Sequence, residues 1–452
     1  DMQSDEVWSA GYQPSGAAPD RYEVAFSEGR AEIIRHDGTI TTTLEAVVSS
    51  EDDAEVRRIS ITNRGDQIRD IELTSYAEIV LAPHTADDTH PAFSKLFVET
   101  EFVADVSTIL ATRRQRSPED LQPWAAHLAV VEGEVIGDLQ FETDRARFLG
   151  RGRGIRTPIA MDAGVPLSET VGAVLDPIFS LRYRVRIPPR TTARVGFWTL
   201  IAASRSEVLD LADKHHGAMA FDRAATLAWT QAQVELHHLG IGADEAHLFQ
   251  RLANRVLYAD PTLRPRSEAL KQGGGAASIL WPHGISGDIP IVLVRIDEAG
   301  DIDIVRQLLL AHEYWRMKQL SVDLVILNER SASYEQDLQG ALEALVRANN
   351  SRPKSAGGAQ GAAFILRADV ISIEVRNLLQ TAARVVLVGR RGTLSEQVRR
   401  APEPKPPRAP RRRASSAALQ TAPPQPASEF FNGFGGFTDG GREYRTILTA
   451  GQ

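Results

Sequence analysis

Leu181-Arg182-Tyr183-Arg184-Val185-Arg186-Ile187, Pro188-Pro189-Arg190-Thr191-Thr192 and Ala193-Arg194-Val195-Gly196-Phe197-Trp198 follow one another without interruption. Apolar residues recur every second position on both sides of a proline-bearing break. That period places one side-chain set in a core and the other in water, as in a half-buried strand. The stretch predicts two strands joined as a hairpin. Upstream, Ile59 and Ile61 alternate with polar residues, Asn63-Arg64-Gly65-Asp66 supplies turn chemistry, and Ile71 and Leu73 alternate with Asp70, Glu72 and Thr74. This reads as a second hairpin with one wet face. Arg64-Gly65-Asp66 spells an adhesion tripeptide, but its flanking strands favour a plain turn. Short strands repeated over residues 7–203 predict antiparallel sheets packed as a sandwich.

Downstream the period changes. Ser204 with Glu207 forms a capping box, followed by Val208, Leu209 and Leu211 on a helical spacing. A second helix is expected over residues 221–238. A third starts near Asp244, carries Leu248, Phe249, Leu252 and Val256 on one face, and ends at Asp260-Pro261. The pairs His215/His216 and His237/His238 close two of these helices, where the C-terminal dipole favours them.

Past residue 280, four short apolar runs occupy residues 289–296, 322–327, 362–366 and 385–388. Amphipathic stretches at 302–317, 334–348 and 372–383 separate them. Buried strands alternating with helices predict a parallel sheet. Residues 399–428 are rich in proline, arginine and alanine and read as a disordered linker. Residues 351–360 read as a shorter flexible loop. The expected organisation is multidomain, β followed by α/β: an antiparallel sandwich at 1–203, a helical linker at 204–265 and a small α/β parallel-sheet domain at 266–395. A Pro/Arg-rich linker at 396–428 and the start of a further module at 429–452 complete it. The sandwich beginning without a preamble, and a new aromatic motif cut short at Gln452, suggest a piece of a longer chain.

Composition narrows the function. The chain has 452 residues, of which 42% are hydrophobic and 24% charged, enough for a sizeable core. A net charge of -8 disfavours nucleic acid as a partner. The absence of cysteine excludes disulfides, zinc–thiolate sites and cysteine nucleophiles. No apolar run is long enough to span a bilayer, and the first residues lack the basic-then-apolar pattern of a signal peptide.

Several words in order resemble the β-(1→2)-glucan synthetases, the large cyclic glucan synthase proteins, which contain regions related to glycoside hydrolase family 94, formerly glycosyltransferase family 36. They are Glu72-Leu73-Thr74-Ser75-Tyr76-Ala77-Glu78, His90-Pro91-Ala92-Phe93-Ser94-Lys95-Leu96-Phe97, Phe141-Glu142-Thr143-Asp144-Arg145 and Arg147-Phe148-Leu149-Gly150-Arg151-Gly152-Arg153. Leu248-Phe249-Gln250-Arg251-Leu252-Ala253 and Leu280-Trp281-Pro282-His283-Gly284-Ile285-Ser286-Gly287-Asp288-Ile289-Pro290 follow, and residues 430–444 resemble a joint into the next module. The resemblance covers residues 7–388 and resumes after the linker. It implies that the front half is a β-supersandwich, a sugar-contacting support domain. It further implies a sugar-nucleotide transferase module upstream, phosphorylase-like modules downstream, and a parent anchored in the inner membrane with this chain on the cytoplasmic side. The implied partners are a β-glucan oligosaccharide or polysaccharide and neighbouring modules of the same polypeptide. No cofactor or metal is called for.

In phosphorylases of this family an (α/α)6 barrel supplies an aspartic general acid, and phosphate attacks with inversion. No residue here matches that acid. Glycoside cleavage needs two carboxylates, or one acid and phosphate. Asp288 is the candidate acid, against a turn or capping role before a buried strand. His283 and Arg295 could meet phosphate or make ordinary structural hydrogen bonds. The Lys271-Gln272-Gly273-Gly274-Gly275 loop lacks P-loop spacing. Val388-Gly389-Arg390-Arg391-Gly392 could hold an anion at a strand's carboxyl end or form a simple turn. His312-Glu313-Tyr314-Trp315-Arg316 lacks the second histidine of a zinc helix. For carbohydrate, Trp8, Tyr12, Phe93, Trp124, Trp281 and His283 are the candidate contacts, with Trp198 available as well; each aromatic taken singly also suits a core. The Arg147 to Arg153 run with Glu142 and Asp144 could shape a polar rim or a solvated loop. The reading is a carbohydrate-binding, structural module; the alternative is a phosphorylase or transferase fragment acting on β-glucans with inversion.

Overall fold

The computed structural model describes residues 1–115, 117, 119–120, 122–258, 261–265, 267–330, 337–350, 361–400 and 428–446. The expectations for the 396–428 linker, the 351–360 loop and the helix end at Asp260 fall wholly or mostly outside them. The chain divides into two compact units, Asp1–Trp229 with Pro407–Gln452, and Thr230–Pro406.

The first unit contains the strands β1 (Arg21–Ser27), β2 (Arg30–Asp37), β3 (Ile40–Val48), β4 (Ala54–Asn63), β5 (Arg69–Thr74), β6 (Ala77–Glu78) and β7 (Val98–Val103). These are followed by β8 (Thr108–Arg113), β9 (Trp124–Glu132), β10 (Glu134–Val135), β11 (Gln140–Asp144), β12 (Gly172–Ala173), β13 (Pro177–Ile187) and β14 (Thr192–Ala202). Nine of them form one antiparallel sheet in the order β1-β2-β3-β4-β14-β9-β8-β7-β12. β13 organises the second sheet, pairing with β10 and β11 and with β5 and β6. Ile61, Ile109, Val195 and Phe197 from one sheet meet Ile71, Phe179, Leu181 and Val185 from the other in a shared core. Each such side chain, fully buried, contributes about 1.5–3 kcal/mol.

Both expected hairpins are instead corners. β4 lies in the nine-stranded sheet and β5 in the other; β14 and β13 are divided in the same way. The strands alternate as expected, but their partners are not those of a hairpin. Consecutive strands face each other across the core, while β4 pairs with β14 and β5 with β13. The two corners therefore lie side by side, and Asn63 ties them together. Its buried side-chain amide donates to Ile187 O (3.0 Å) and Gln67 O (2.7 Å), and its Oδ1 accepts from Gly65 N (3.0 Å). Its backbone also exchanges bonds with Thr191 O and Arg190 N. On the wet face, β5 and β13 form a cross-strand ladder: Asp70 opposite Arg186, Glu72 opposite Arg184 and Thr74 opposite Arg182.

The helix Arg205–His215 starts at Ser204, whose hydroxyl accepts from Glu207 N as the capping pattern predicts. Its Val208 and Ala212, with Phe221 and Ala224 of the next helix, cover the nine-stranded sheet's second face against Val56, Leu128 and Trp198. His215 sits in the last turn of this helix, as its position in the sequence predicts. It stacks on Trp198 (4.2 Å) and reaches Asp52 Oδ2 (2.9 Å).

The second unit has four parallel strands, β15 (Ile291–Ile296), β16 (Asp323–Asn328), β17 (Ala363–Arg367) and β18 (Val385–Val388), in the order β17-β16-β15-β18. Val292, Val294, Leu324 and Leu387 face the helices Ala243–Leu257, Ile302–Met317 and Asp337–Asn350. Leu293, Val325 and Val386 face the helix Ile373–Ala382. Burial on both faces is why these strands read as unbroken apolar runs. His312 is a core residue here, with Nε2 on Val322 O (2.9 Å) and Asn349 at Nδ1. A short antiparallel pair, β19 (Gly435–Thr438) and β20 (Glu443–Thr446), completes the described chain.

Candidate functional site

The four words quoted from the front half converge at one end of the sandwich. Tyr76 packs on Phe148 with ring centroids 5.0 Å apart. Its hydroxyl meets Glu78 (2.9 Å) and receives Arg145 Nε (3.0 Å). Arg145 also reaches Glu78 (2.9 Å) and Asp176 (3.2 Å), and Lys95 reaches Asp176 (2.8 Å). Burial, and then the Glu78 contact, push the Tyr76 phenol up to about 12, so it stays protonated and can donate. The Tyr76 contact holds the Arg145 guanidinium above its ordinary value.

Beside this network the outer face of the second sheet carries a roofed cavity of about 280 Å3. Glu142, Arg147, Phe148, Ile159, Leu167 and Ser168 line it. Glu142 on β11 stands directly opposite Ser180 on β13, so both side chains share that face. Three polar side chains of the sheet hold the roof. Gln140 accepts from Leu167 N (3.1 Å). Arg182 donates to Val165 O (2.8 Å) and to Ala160 O. Glu142 accepts from Thr143 N, Asp144 N, Ser168 N and the Ser168 hydroxyl. Its two oxygens are filled by these donors, a structural acceptor's arrangement. Phe148, Leu149, Ala160, Leu167 and Ile178 form a small apolar cluster around it. Ser180 Oγ is buried and has no hydrogen-bond partner among the described residues. The Arg147 to Arg153 run is therefore partly a cavity wall. Arg147 is in the lining, Arg153 pairs with Asp162 (2.7 Å), and Arg151 lies 5.5 Å from the Phe434 ring of the returning segment.

The predicted aromatic contacts do not form one patch. Trp8 and Tyr12 share an N-terminal arm. Trp8 Nε1 donates to Thr42 Oγ1 (3.1 Å) and the ring is half-buried on the inter-sheet core. The fully buried Arg35 fixes the arm by donating to Ser9 O, Gly11 O and Ala17 O while gripping Asp37 with two bonds. Phe93 is half exposed and sits edge-on to Phe97 (5.2 Å), near the charged network through Lys95. Trp124 opens β9 and packs, half-buried, on the opposite, helix-covered face, and Trp198 is core.

Trp281, His283 and Asp288 belong to the second unit and share one loop before β15. Trp281 is exposed and donates to Ser286 O (3.1 Å), and His283 is half-buried in the same 3-10 turn. Asp288 is exposed, and its backbone N–H donates to Ser286 Oγ (3.1 Å). Arg295 is paired with Glu329 (2.9 Å). At the carboxyl end of β18, Gly389 lies against the Asp301 carboxylate, and Gln397 bonds Val388 and Gly392, which closes that turn. Sequence reasoning missed Asp176 and Ser180. Ser180 lies between buried residues of a strand and carries no signal until its register with Glu142 is known.

A family model described as the glycosyl hydrolase 94 supersandwich domain matches residues 1–218. Cyclic beta-(1,2)-glucan synthase NdvB of Rhizobium meliloti is 38% identical over 463 aligned residues, covering the whole chain and 16% of the synthase. Solabiose phosphorylase of Paenibacillus borealis is 23% identical over 190 residues, 42% of this chain and 23% of that enzyme. A solved polysaccharide lyase superposes with a TM-score of 0.26 at 11% identity, over 40% of this chain and 23% of that one. The chain thus spans less than a quarter of either curated relative. The chain is an NdvB-like, glycosyl hydrolase 94-related region whose residues 1–218 form the supersandwich domain.

Proposed function

We propose that this chain is a carbohydrate-contacting support module of a cyclic β-1,2-glucan synthase, positioning a β-glucan for transferase-like and phosphorylase-like modules of the same polypeptide. The observation that carries this reading is 38% identity sustained along the whole chain to such a synthase. The physical features agree with holding rather than reacting. Tyr76, Phe93 and Arg147 offer exposed or half-exposed aromatic and planar polar groups at one end of the sandwich, the usual partners of a sugar ring. No described helix is long and apolar enough to cross a membrane. In this reading the module serves the cytoplasmic side of a membrane-anchored parent.

The test is calorimetry of the full chain with linear β-1,2-gluco-oligosaccharides. Saturable heat, with altered exchange at residues 76–97 or 8–12, is expected. No heat and no protected aromatic sinks the proposal. The second reading, a phosphorylase or transferase fragment, draws on the similarity to solabiose phosphorylase. It requires glucose 1-phosphate release from a β-glucan in phosphate, abolished in Asp288→Asn. An inactive wild-type chain ends that reading.

A further inference from the structure

Ligands of open α/β sheets usually bind beyond the carboxyl ends of the strands. In the second unit the described loops at that end are closed on themselves. Arg295 pairs with Glu329, Arg367 with Asp369, and Gly389 lies against the Asp301 carboxylate. The loop at the amino end of β15, residues 280–288, is built differently. Leu280 and Ile285 anchor it in the core shared with the helix Ile373–Ala382. Gly284 and Gly287 take positive φ (76° and 84°), which lets the loop turn tightly. Ser286 ties its two ends together: the carbonyl accepts from Trp281 Nε1 (3.1 Å), and the hydroxyl accepts from Asp288 N (3.1 Å). The Trp281 ring is thus held by its edge while the residue stays 64% exposed. The Asp288 carboxylate is exposed, and neither it nor the His283 imidazole makes a hydrogen bond or ion pair among the described residues. A single exposed tryptophan is ordinary. What sets this one apart is an unused carboxylate and an unused imidazole on the same hydrogen-bonded loop.

We propose that the 280–288 loop is a separate sugar-contacting surface, on the α/β unit, for a glucose residue within a β-glucan chain. The Trp281 ring stacks on the apolar C–H face of that residue, and Asp288 and His283 bond its hydroxyls. An ionised carboxylate only accepts, which suits the hydroxyl donors of a sugar, and bonds to a charged group are the stronger kind. An imidazole can donate from one ring nitrogen and accept at the other. An indole face brings a large apolar area at a fixed angle. The local charge agrees with a neutral ligand. From Gly273 to Val294 the only charged residue is Asp288, so the loop itself offers no cation to a phosphate. The approach is open, because Gly274-Gly275-Ala276-Ala277-Ser278 are small and exposed. An exposed platform gains its hold from successive rings of one chain, so a longer glucan should bind more tightly than a disaccharide. The inference rests on the glucan-contacting reading above and gives the second unit a part in it.

The probes are sophorose, the β-1,2-linked disaccharide of glucose, and a longer linear β-1,2-glucan, both titrated into the full chain by calorimetry and tryptophan fluorescence. The longer glucan should change the fluorescence, and Trp281→Phe should remove that change while keeping most of the affinity. Trp281→Ala should weaken the longer glucan about ten-fold, the worth of one ring stacked on an aromatic face. Asp288→Ala should weaken it about three-fold, the worth of one hydrogen bond. Both side chains are exposed, so neither variant should lower the melting temperature. Equal affinity for sophorose would overturn the assignment to a chain interior. If the longer glucan binds the wild type and neither Trp281→Ala nor Asp288→Ala changes its affinity, this surface is refuted and the broader reading stands on the sandwich. If neither probe binds the wild type, the broader reading fails first and takes this surface with it.

Discussion

Asn63→Ala is the sharpest test of how the sandwich turns its corners. The wild-type side chain is fully buried and makes three good hydrogen bonds, to Gln67 O, Ile187 O and Gly65 N. Alanine removes all three partners at once. Gln67 is exposed, so water replaces much of that bond, whereas Ile187 is buried and its carbonyl loses the Asn63 donor with no access to water. Each lost hydrogen bond costs about 0.5–1.5 kcal/mol, so the three together should cost about 2–4 kcal/mol. Chemical denaturation measures it, and amide exchange at residues 63–69 and 187–192 assigns it to the two corners. Asn63→Asp supplies a second readout with nearly the same shape. It keeps the acceptor for Gly65 N but turns the donor into an acceptor facing two carbonyls. Its ionised form is disfavoured in the fold, so its folded pKa lies above the unfolded value of about 3.9. Stability relative to wild type should therefore improve as pH falls through that raised pKa. A loss below about 1 kcal/mol in Asn63→Ala, or an Asn63→Asp deficit independent of pH, would refute the side-by-side corner arrangement as the source of stability.

Three further outcomes are expected. Arg35→Met removes a buried guanidinium that holds three carbonyls and Asp37, and should cost about 3–5 kcal/mol; exchange at residues 9–17 should rise sharply, loosening the arm that carries Trp8 and Tyr12. Burial pushes His127 and His312 down to about 4 from 6.5, so the unfolded chain binds protons more readily between those values. Each unit should lose up to about 3 kcal/mol as pH falls from 6.5 through 4, and His127→Gln or His312→Gln should flatten the pH dependence of its own unit alone. Gly389→Ala puts a methyl into the Asp301 carboxylate and should lower the stability of the α/β unit by about 1–3 kcal/mol, partly restored by Asp301→Ala in a double-mutant melt.

Element type was legible wherever a segment's own burial pattern determined it. The helix Ile302–Met317 and the strand Val385–Val388 fall where their periodicity placed them, because one face of the first and both faces of the second are buried within one unit. Partnership was not legible. The runs flanking Asn63 and those flanking Pro188-Pro189 alternate in the same way whether a chain folds back beside itself or crosses to the opposite sheet. What separates the two cases is Asn63, and its decisive contacts lie 124 residues away at Ile187. The candidate site divides along the same line. The words around Tyr76, Lys95 and Arg145 were visible, and the structure brings them together. Ser180 and Asp176 join them only through the register of β13, which no local pattern encodes.

That register also bears on what this end of the sandwich can do. Glycoside cleavage by paired carboxylates needs one acid able to give up a proton and a second carboxylate across the bond. Glu78 and Asp176 both share Arg145 and Lys95 as partners, and Glu142 is filled by four donors. Releasing any of them for proton transfer would leave a cation or a backbone amide unmet, at a cost that rises with burial. The same bonds keep the 145–168 segment in one shape. A segment fixed in this way offers a ligand a rigid surface with little ordering entropy to lose, which favours recognition over chemistry. The Ser180 hydroxyl, without a hydrogen-bond partner among the described residues, is completely buried and so lies out of reach of a ligand on that surface.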